Sequence, residues 1–137
     1  MLQDLYKEIV LDHYKNPRHR GEIEDADLRE HLLNPLCGDE VTVYARFQGD
    51  KLAEVSFTGR GCSISQASAS MLTERLSGKG REEAEGEIQA FLEMMRTEEN
   101  EALGNLVALK GIIQTPNRIR CATLAWNAFK QGLDDKG

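Results

Sequence analysis

Val41-Thr42-Val43-Tyr44-Ala45-Arg46-Phe47, followed by Gln48-Gly49-Asp50-Lys51 and then Ala53-Glu54-Val55-Ser56-Phe57-Thr58, is the stretch that decides the fold. Val41, Val43, Ala45 and Phe47 alternate with polar neighbours, and so do Ala53, Val55 and Phe57. Alternation with period two on both sides of a glycine-containing turn predicts a β-hairpin with one buried face. Because the strands run antiparallel, the start of the first lies beside the end of the second. Cys37 and Asp39 stand at that start and Gly59 to Cys62 at that end, so the hairpin is expected to bring the two groups together.

On either side of the hairpin the pattern turns mostly helical. Leu28, Leu32 and Leu33 predict a short edge strand before it. After Cys62, the residues Ile64, Ala67, Met71 and Leu72 share one helical face, with Ser63 or Ser65 as cap and Gly78 marking the end. Leu2 to Tyr14 reads as an amphipathic helix stopped at Asn16-Pro17. Arg81 to Met95 reads as another, with Ala84, Ile88, Phe91, Leu92 and Met95 in a stripe and glutamates in its first turns. Leu103, Leu106 and Val107 predict a short helix with a stop at Lys110-Gly111. Thr115-Pro116 opens a last helix running to about Gln131 and burying Ile119, Ala122, Trp126 and Phe129.

The composition narrows the function classes. The chain of 137 residues is expected to form a single domain, 1–137. Its 17 basic residues against 23 acidic ones leave a net charge of −6, which argues against a nucleic-acid or anionic-membrane surface. The first turns carry acids and no long apolar run, so neither a signal peptide nor a membrane span is expected, and the predicted location is the cytoplasm, where thiols stay reduced. The basic turn Pro17-Arg18-His19-Arg20-Gly21 reads as a solvated connection, with the docking of an acidic partner as the alternative.

The chemistry is carried by the three cysteines, Cys37, Cys62 and Cys121. An internal disulfide would leave one over, and each stands beside a glycine, a carboxylate or an arginine at the border of a predicted element, which favours thiolates. Cys62 falls at a helix N-terminus and Cys121 in the second turn of the last helix, bracketed by Arg118 and Arg120; the dipole and the cations both favour the ionised thiol. None of the cysteines forms a C-x-x-C pair, so a common site depends on the fold. If the fold gathers them with Asp39, three sulfurs and one carboxylate suit tetrahedral zinc, and the same thiolates suit an iron–sulfur cluster. Four anionic ligands on a divalent ion leave a charge of about −2, which Arg118 and Arg120 can moderate. His13, His19 and His31 have no ligand partner at metal spacing and stay outside the site, with His13 read as a hydrogen-bonded packing residue.

Four motifs in order carry a family resemblance: Asp12-His13-Tyr14-Lys15-Asn16-Pro17-Arg18, Asn34-Pro35-Leu36-Cys37-Gly38-Asp39, Gly59-Arg60-Gly61-Cys62-Ser63-Ile64-Ser65 and Arg120-Cys121-Ala122-Thr123-Leu124-Ala125-Trp126. Together they resemble the IscU/NifU N-terminal family of iron–sulfur cluster assembly proteins over nearly the whole chain. The resemblance implies an α+β fold, a small antiparallel three-stranded sheet packed on one side by helices, with a metal site at one end. Arg120 stands where IscU-type scaffolds carry a histidine, and the segment from about Met94 to Ile113 resembles the additional stretch of the SufU branch.

For SufU-like proteins the resemblance implies zinc on Cys37, Asp39, Cys62 and Cys121, and acceptance of persulfide sulfur from a cysteine desulfurase of the SufS type. Cys37 lies in a loop between Pro35 and Gly38, where it is the ligand most able to leave, and is the expected sulfur acceptor, with Arg118 and Arg120 available to the sulfur anion. The sulfur would pass on to an assembly scaffold or an apo-protein. A second reading is a scaffold that transiently builds an iron–sulfur cluster on Cys37, Cys62 and Cys121. A third is a structural zinc module.

Overall fold

Three strands, β1 (Leu28–Asn34), β2 (Asp39–Gln48) and β3 (Lys51–Arg60), form an antiparallel sheet in the order β1-β2-β3. They belong to a computed structural model that describes residues 2–35, 38–98, 100–112 and 116–135, and only the backbone of residues 2, 3, 112 and 117. The predicted hairpin is β2-β3, and the predicted edge strand is β1. Asp39 stands opposite Asn34, Glu40 opposite Arg60 and Val43 opposite Phe57.

The register shifts between Arg46 and Phe47, so that Phe47 pairs with Leu52. Leu52 is therefore buried and Ala53 exposed, which corrects the expected inward position of Ala53. Simple alternation fails at such an irregularity, because one residue of slip exchanges the two faces.

The helices are α1 (Leu2–Lys15), α2 (Ser63–Leu76), α3 (Arg81–Arg96), α4 (Val107–Ile112) and α5 (Pro116–Asp135), with a 3-10 segment at Glu101–Leu106. On the sheet, α2 packs against β3 and α5 against β1 and β2; α1 covers α2 and α4. One hydrophobic core draws on all of these elements, and Phe91 of α3 stacks on Trp126 of α5 at 4.1 Å between ring centres.

Residues 65–73 of α2 are buried without interruption, serines included. The single stripe expected from Ile64, Ala67, Met71 and Leu72 is thus too narrow: α2 is a central helix, and its small side chains allow neighbours to approach on several sides. Gly111 likewise does not stop the short helix but lies within α4, where a Cβ would overlap the Tyr6 ring. The last helix continues past Gln131 to Asp135 because Leu133 extends its buried face. Its expected cap, Thr115, lies outside the described residues.

The second face of the sheet is covered as well. At the edge of β3, Gly21 N–H donates to the Phe57 carbonyl at 2.8 Å and Phe57 N–H to the His19 carbonyl at 3.2 Å. The chain then crosses the outer face towards β1, held by Ser56 Oγ donating to the Gly21 carbonyl at 2.7 Å and by Phe47 N–H donating to the Asp27 carboxylate at 2.7 Å. Tyr44, on this outer face, is only 2% exposed. Arg29 sits 5.6 Å from its ring centre, and its hydroxyl is 3.1 Å from Thr58 Oγ1.

Candidate metal centre

The antiparallel sheet ends where β2 begins and β3 stops, and the turn after β3 leads directly into α2. Asp39, the first residue of β2, therefore meets Cys62, the N-cap residue of α2. From the other helix of the layer, α5 contributes Cys121 in its second turn. One carboxylate oxygen of Asp39 and the two Sγ atoms lie within 4.8 Å of one another. Asp39 and Cys121 are each 1% exposed, and Cys62 is half-buried.

The Asp39 carboxylate has a second role. Its Oδ1 accepts the Cys62 backbone N–H at 2.8 Å, while its Oδ2 lies 3.5 Å from Cys62 Sγ. The expected serine caps do not form: α2 has no side-chain cap bond from its own N-cap residue, and Ser65 Oγ donates to the Cys62 carbonyl at 3.0 Å. The helix is capped from across the sheet instead. This approach requires the neighbouring glycine, since a Cβ on Gly61, at φ 149°, would overlap the Asp39 carboxylate.

Behind the cluster, Ser68 of α2 sets the position of α5. Its Oγ donates to the Ala122 carbonyl, next to Cys121, and accepts the Trp126 indole N–H at 3.0 Å. All three residues are buried. Together with the Asp39 cap and Gly61, this bond was missed by sequence reasoning. The one signal for it is the serine-rich composition of a helix that has to pass close to its neighbours.

The donor set fits zinc. With Zn–S about 2.3 Å and Zn–O about 2.1 Å, a tetrahedral S–Zn–O unit spans about 3.6 Å between its ligand atoms. The Cys62–Asp39 separation of 3.5 Å lies close to that span. Two sulfurs and one oxygen leave one tetrahedral position to be filled, and Cys37, two residues before Asp39 in the chain, lies outside the described residues.

Arg118 and Arg120 are exposed on the first turns of α5 and make no ion pair among the described residues. Being next to Cys121 in sequence does not place Arg120 against the thiol. A helix turns about 100° per residue, so exposed Arg120 and buried Cys121 face different directions.

The histidines lie apart from the cluster. His13 is buried, its Nδ1 2.8 Å from Ser70 Oγ, and burial pushes its pKa below the usual value, with Arg18 adding to the effect against Glu74 and Asp12. His31 is exposed on β1, 3.6 Å from the Glu40 carboxylate.

Fold and cluster define a class: a small α+β domain with a mixed thiol–carboxylate centre at the end of its sheet. The chain belongs to the family of the NifU-like N-terminal domain, whose model matches residues 5–135. It is 42% identical over 135 residues to the iron–sulfur cluster assembly scaffold protein IscU of Streptococcus pyogenes, covering 96% of this chain and 84% of that one. It is 41% identical over 135 residues to the zinc-dependent sulfurtransferase SufU of Bacillus subtilis, covering 96% of this chain and 91% of that one. A crystal structure of an iron–sulfur cluster assembly scaffold protein for the SUF system of Fervidobacterium islandicum superimposes with a TM-score of 0.83 at 35% identity, covering 96% of this chain and 98% of that one.

Proposed function

We propose that this chain acts in iron–sulfur cluster assembly as a zinc-dependent sulfur-transfer protein, receiving persulfide sulfur from a cysteine desulfurase of the SufS type. The observation that carries the reading is the convergence of Asp39, Cys62 and Cys121 within 4.8 Å. The naming of a SufU relative at 41% identity as a zinc-dependent sulfurtransferase adds weight. The proposed ligands are Cys37, Asp39, Cys62 and Cys121. Bound zinc would keep the thiols deprotonated and hold them in place.

The residues then divide the work. Cys62 and Cys121 are fixed at the starts of two packed helices, whereas Cys37 belongs to the connection between β1 and β2, flanked by exposed Pro35 and Gly38. Cys37 is the proposed acceptor. Its thiolate attacks the outer sulfur of the desulfurase persulfide, an S–S bond forms to Cys37 as the persulfide bond breaks, and the desulfurase cysteine leaves as thiolate with no net change in redox state. Arg118 and Arg120 offer cationic donors to the sulfur anion. The sulfur then passes to an assembly scaffold or an apo-protein. Such thiols must stay reduced, the condition of the cytoplasm. Among the described residues, no helix is long and apolar enough to cross a membrane.

The test combines metal analysis of the purified protein with a desulfurase assay. One zinc per chain, faster desulfurase turnover and sulfur retained on this protein are expected. A protein without zinc affinity, or one that leaves turnover unchanged, would refute the reading. A second reading, the transient iron–sulfur scaffold, is favoured by the IscU relative at 42% identity. It calls for a cluster chromophore built from iron and sulfide on the same cysteines and passed to an apo-protein.

A further inference from the structure

A groove of about 290 Å³ opens beside Cys62, between the end of α1, the basic turn after it and the end of β3. Tyr14, Pro17, Arg20, Arg60, Gly61 and Gln66 line it. Gly61 separates it from the metal centre. Gln66 stands one helical turn beyond Cys62 and donates its backbone N–H to the Cys62 carbonyl at 3.2 Å.

The lining is rich in donors. Arg20 uses Nη2 on the Gly59 carbonyl at 2.9 Å, and Arg60 uses Nε on Glu40 at 3.0 Å. A guanidinium carries five N–H donors in a planar fork, so each keeps several for a ligand. Gln66 is nine-tenths buried and adds an amide, and exposed Tyr14 adds a phenol. On a chain with a net charge of −6, two arginines lining one groove next to Gly61 are complementary to a carboxylate.

We infer that this groove is a docking site for an acidic side chain carried on a loop of the protein that delivers the sulfur. The inference rests on the sulfur-transfer reading above. A protruding loop fits better than a free small molecule. The Arg60 side chain is 84% exposed, within reach of a protruding chain and not enclosed by the groove. The shared wall at Gly61 places such a loop next to the centre that has to meet the persulfide.

The test titrates the zinc-loaded chain with the cysteine desulfurase at low and raised KCl, following complex formation by anisotropy, turnover by sulfide release in the presence of a thiol reductant, and sulfur on this chain by alkylation and mass spectrometry. Arg60→Glu and Arg20→Glu are each expected to raise Kd and KM about tenfold and to flatten the salt dependence, with kcat at saturation and zinc content unchanged. Arg46→Glu, which alters an arginine paired with Glu54 near the far end of β2, serves as control and should bind as the parent does. Arg20 also holds the Gly59 carbonyl, so the exposed Arg60 is the deciding position, with Tyr14→Ala as its companion. Parent-like Kd and salt slope in both Arg60→Glu and Tyr14→Ala overturn the inference. Failure of the two readings is distinguishable: groove-dependent binding without sulfur on this chain refutes transfer and keeps the groove, sulfur transfer indifferent to the groove variants does the reverse, and no complex with the parent overturns both.

Discussion

The carboxylate of Asp39 holds the backbone N–H of Cys62 at 2.8 Å while its other oxygen lies 3.5 Å from the Cys62 sulfur. One side chain thus ties the first residue of β2 to the start of α2 and also belongs to the proposed ligand set. On the proposed ligand set, metal affinity and the stability of the sheet–helix junction would be coupled through it.

Asp39→Ala removes both roles, and Asp39→Asn removes only the anionic ligand, because an amide oxygen still accepts the helix N–H. Loss of the cap should cost about 0.5–2 kcal/mol in the alanine variant, with most of this recovered in the asparagine variant. Both should bind zinc more weakly, on the order of tenfold or more, and support less sulfur transfer. Thermal melts in chelator separate the first effect, and competition titration against a zinc indicator separates the second. An Asn variant with parental zinc affinity would remove Asp39 from the ligand set.

Ser68→Ala tests the bond that positions α5. The substitution removes the acceptor of the buried Trp126 indole N–H and the additional bond from α2 to the Ala122 carbonyl. The expected cost is about 1–3 kcal/mol, with a shifted Trp126 emission and weaker zinc binding through displacement of neighbouring Cys121. Unchanged melting, emission and zinc affinity would show that this bond does not position the helix.

The hairpin, the edge strand and the helix starts were legible because each is written in local chemistry: alternation in Val41 to Phe47, a glycine turn, proline at Pro116. The approach of Asp39 to Cys62 was legible in outline, since antiparallel pairing forces it. What remained hidden depends on distant chain. The burial of Tyr44 follows from residues 21–27 folding back over the outer face, and Leu52 displaces Ala53 because the register slips at Phe47. Gly111 reads as a stop until the Tyr6 ring is seen against it. The capping of α2 from another strand shows in the flanking residues only as Gly61, whose missing Cβ leaves room for the Asp39 carboxylate.

His13 predicts a pH dependence. Ser70 Oγ accepts the Arg18 N–H at 2.8 Å and lies 2.8 Å from His13 Nδ1, while His13 Nε2 lies 3.7 Å from the Glu74 carboxylate. Burial holds the folded pKa below the ordinary value of 6.5. The unfolded chain therefore takes up a proton first as pH falls. This contribution to stability is complete above the unfolded pKa of about 6.5, and it declines below that value until pH passes the folded pKa. Denaturant melts between pH 8 and 5 should show the decline, and His13→Gln should flatten it while lowering stability at pH 8. An unchanged slope in the variant would assign the pH dependence to other groups.

The cysteines should fail in different ways. Cys121 is buried within α5 and Cys62 occupies the N-cap of α2, so the backbone that carries each is held in a packed helix. Cys37 is flanked by exposed Pro35 and by Gly38 at φ 71°, a backbone conformation that glycine adopts readily. Cys62→Ser and Cys121→Ser are expected to lose most of their zinc, and their transfer activity with it. Cys37→Ser should retain more zinc than either and yet carry no sulfur, because a serine hydroxyl cannot take the place of the attacking thiolate. Mixing each variant with desulfurase and cysteine, alkylating and mapping the persulfide by peptide mass spectrometry reads both properties on one sample when zinc is measured alongside. Label on Cys37 of the parent, and none on the Cys37→Ser variant, is the expected pattern. Persulfide on Cys121 with Cys37 unmodified would overturn the assignment and favour a scaffold, in which all three thiols serve a cluster and none is set apart to receive sulfur.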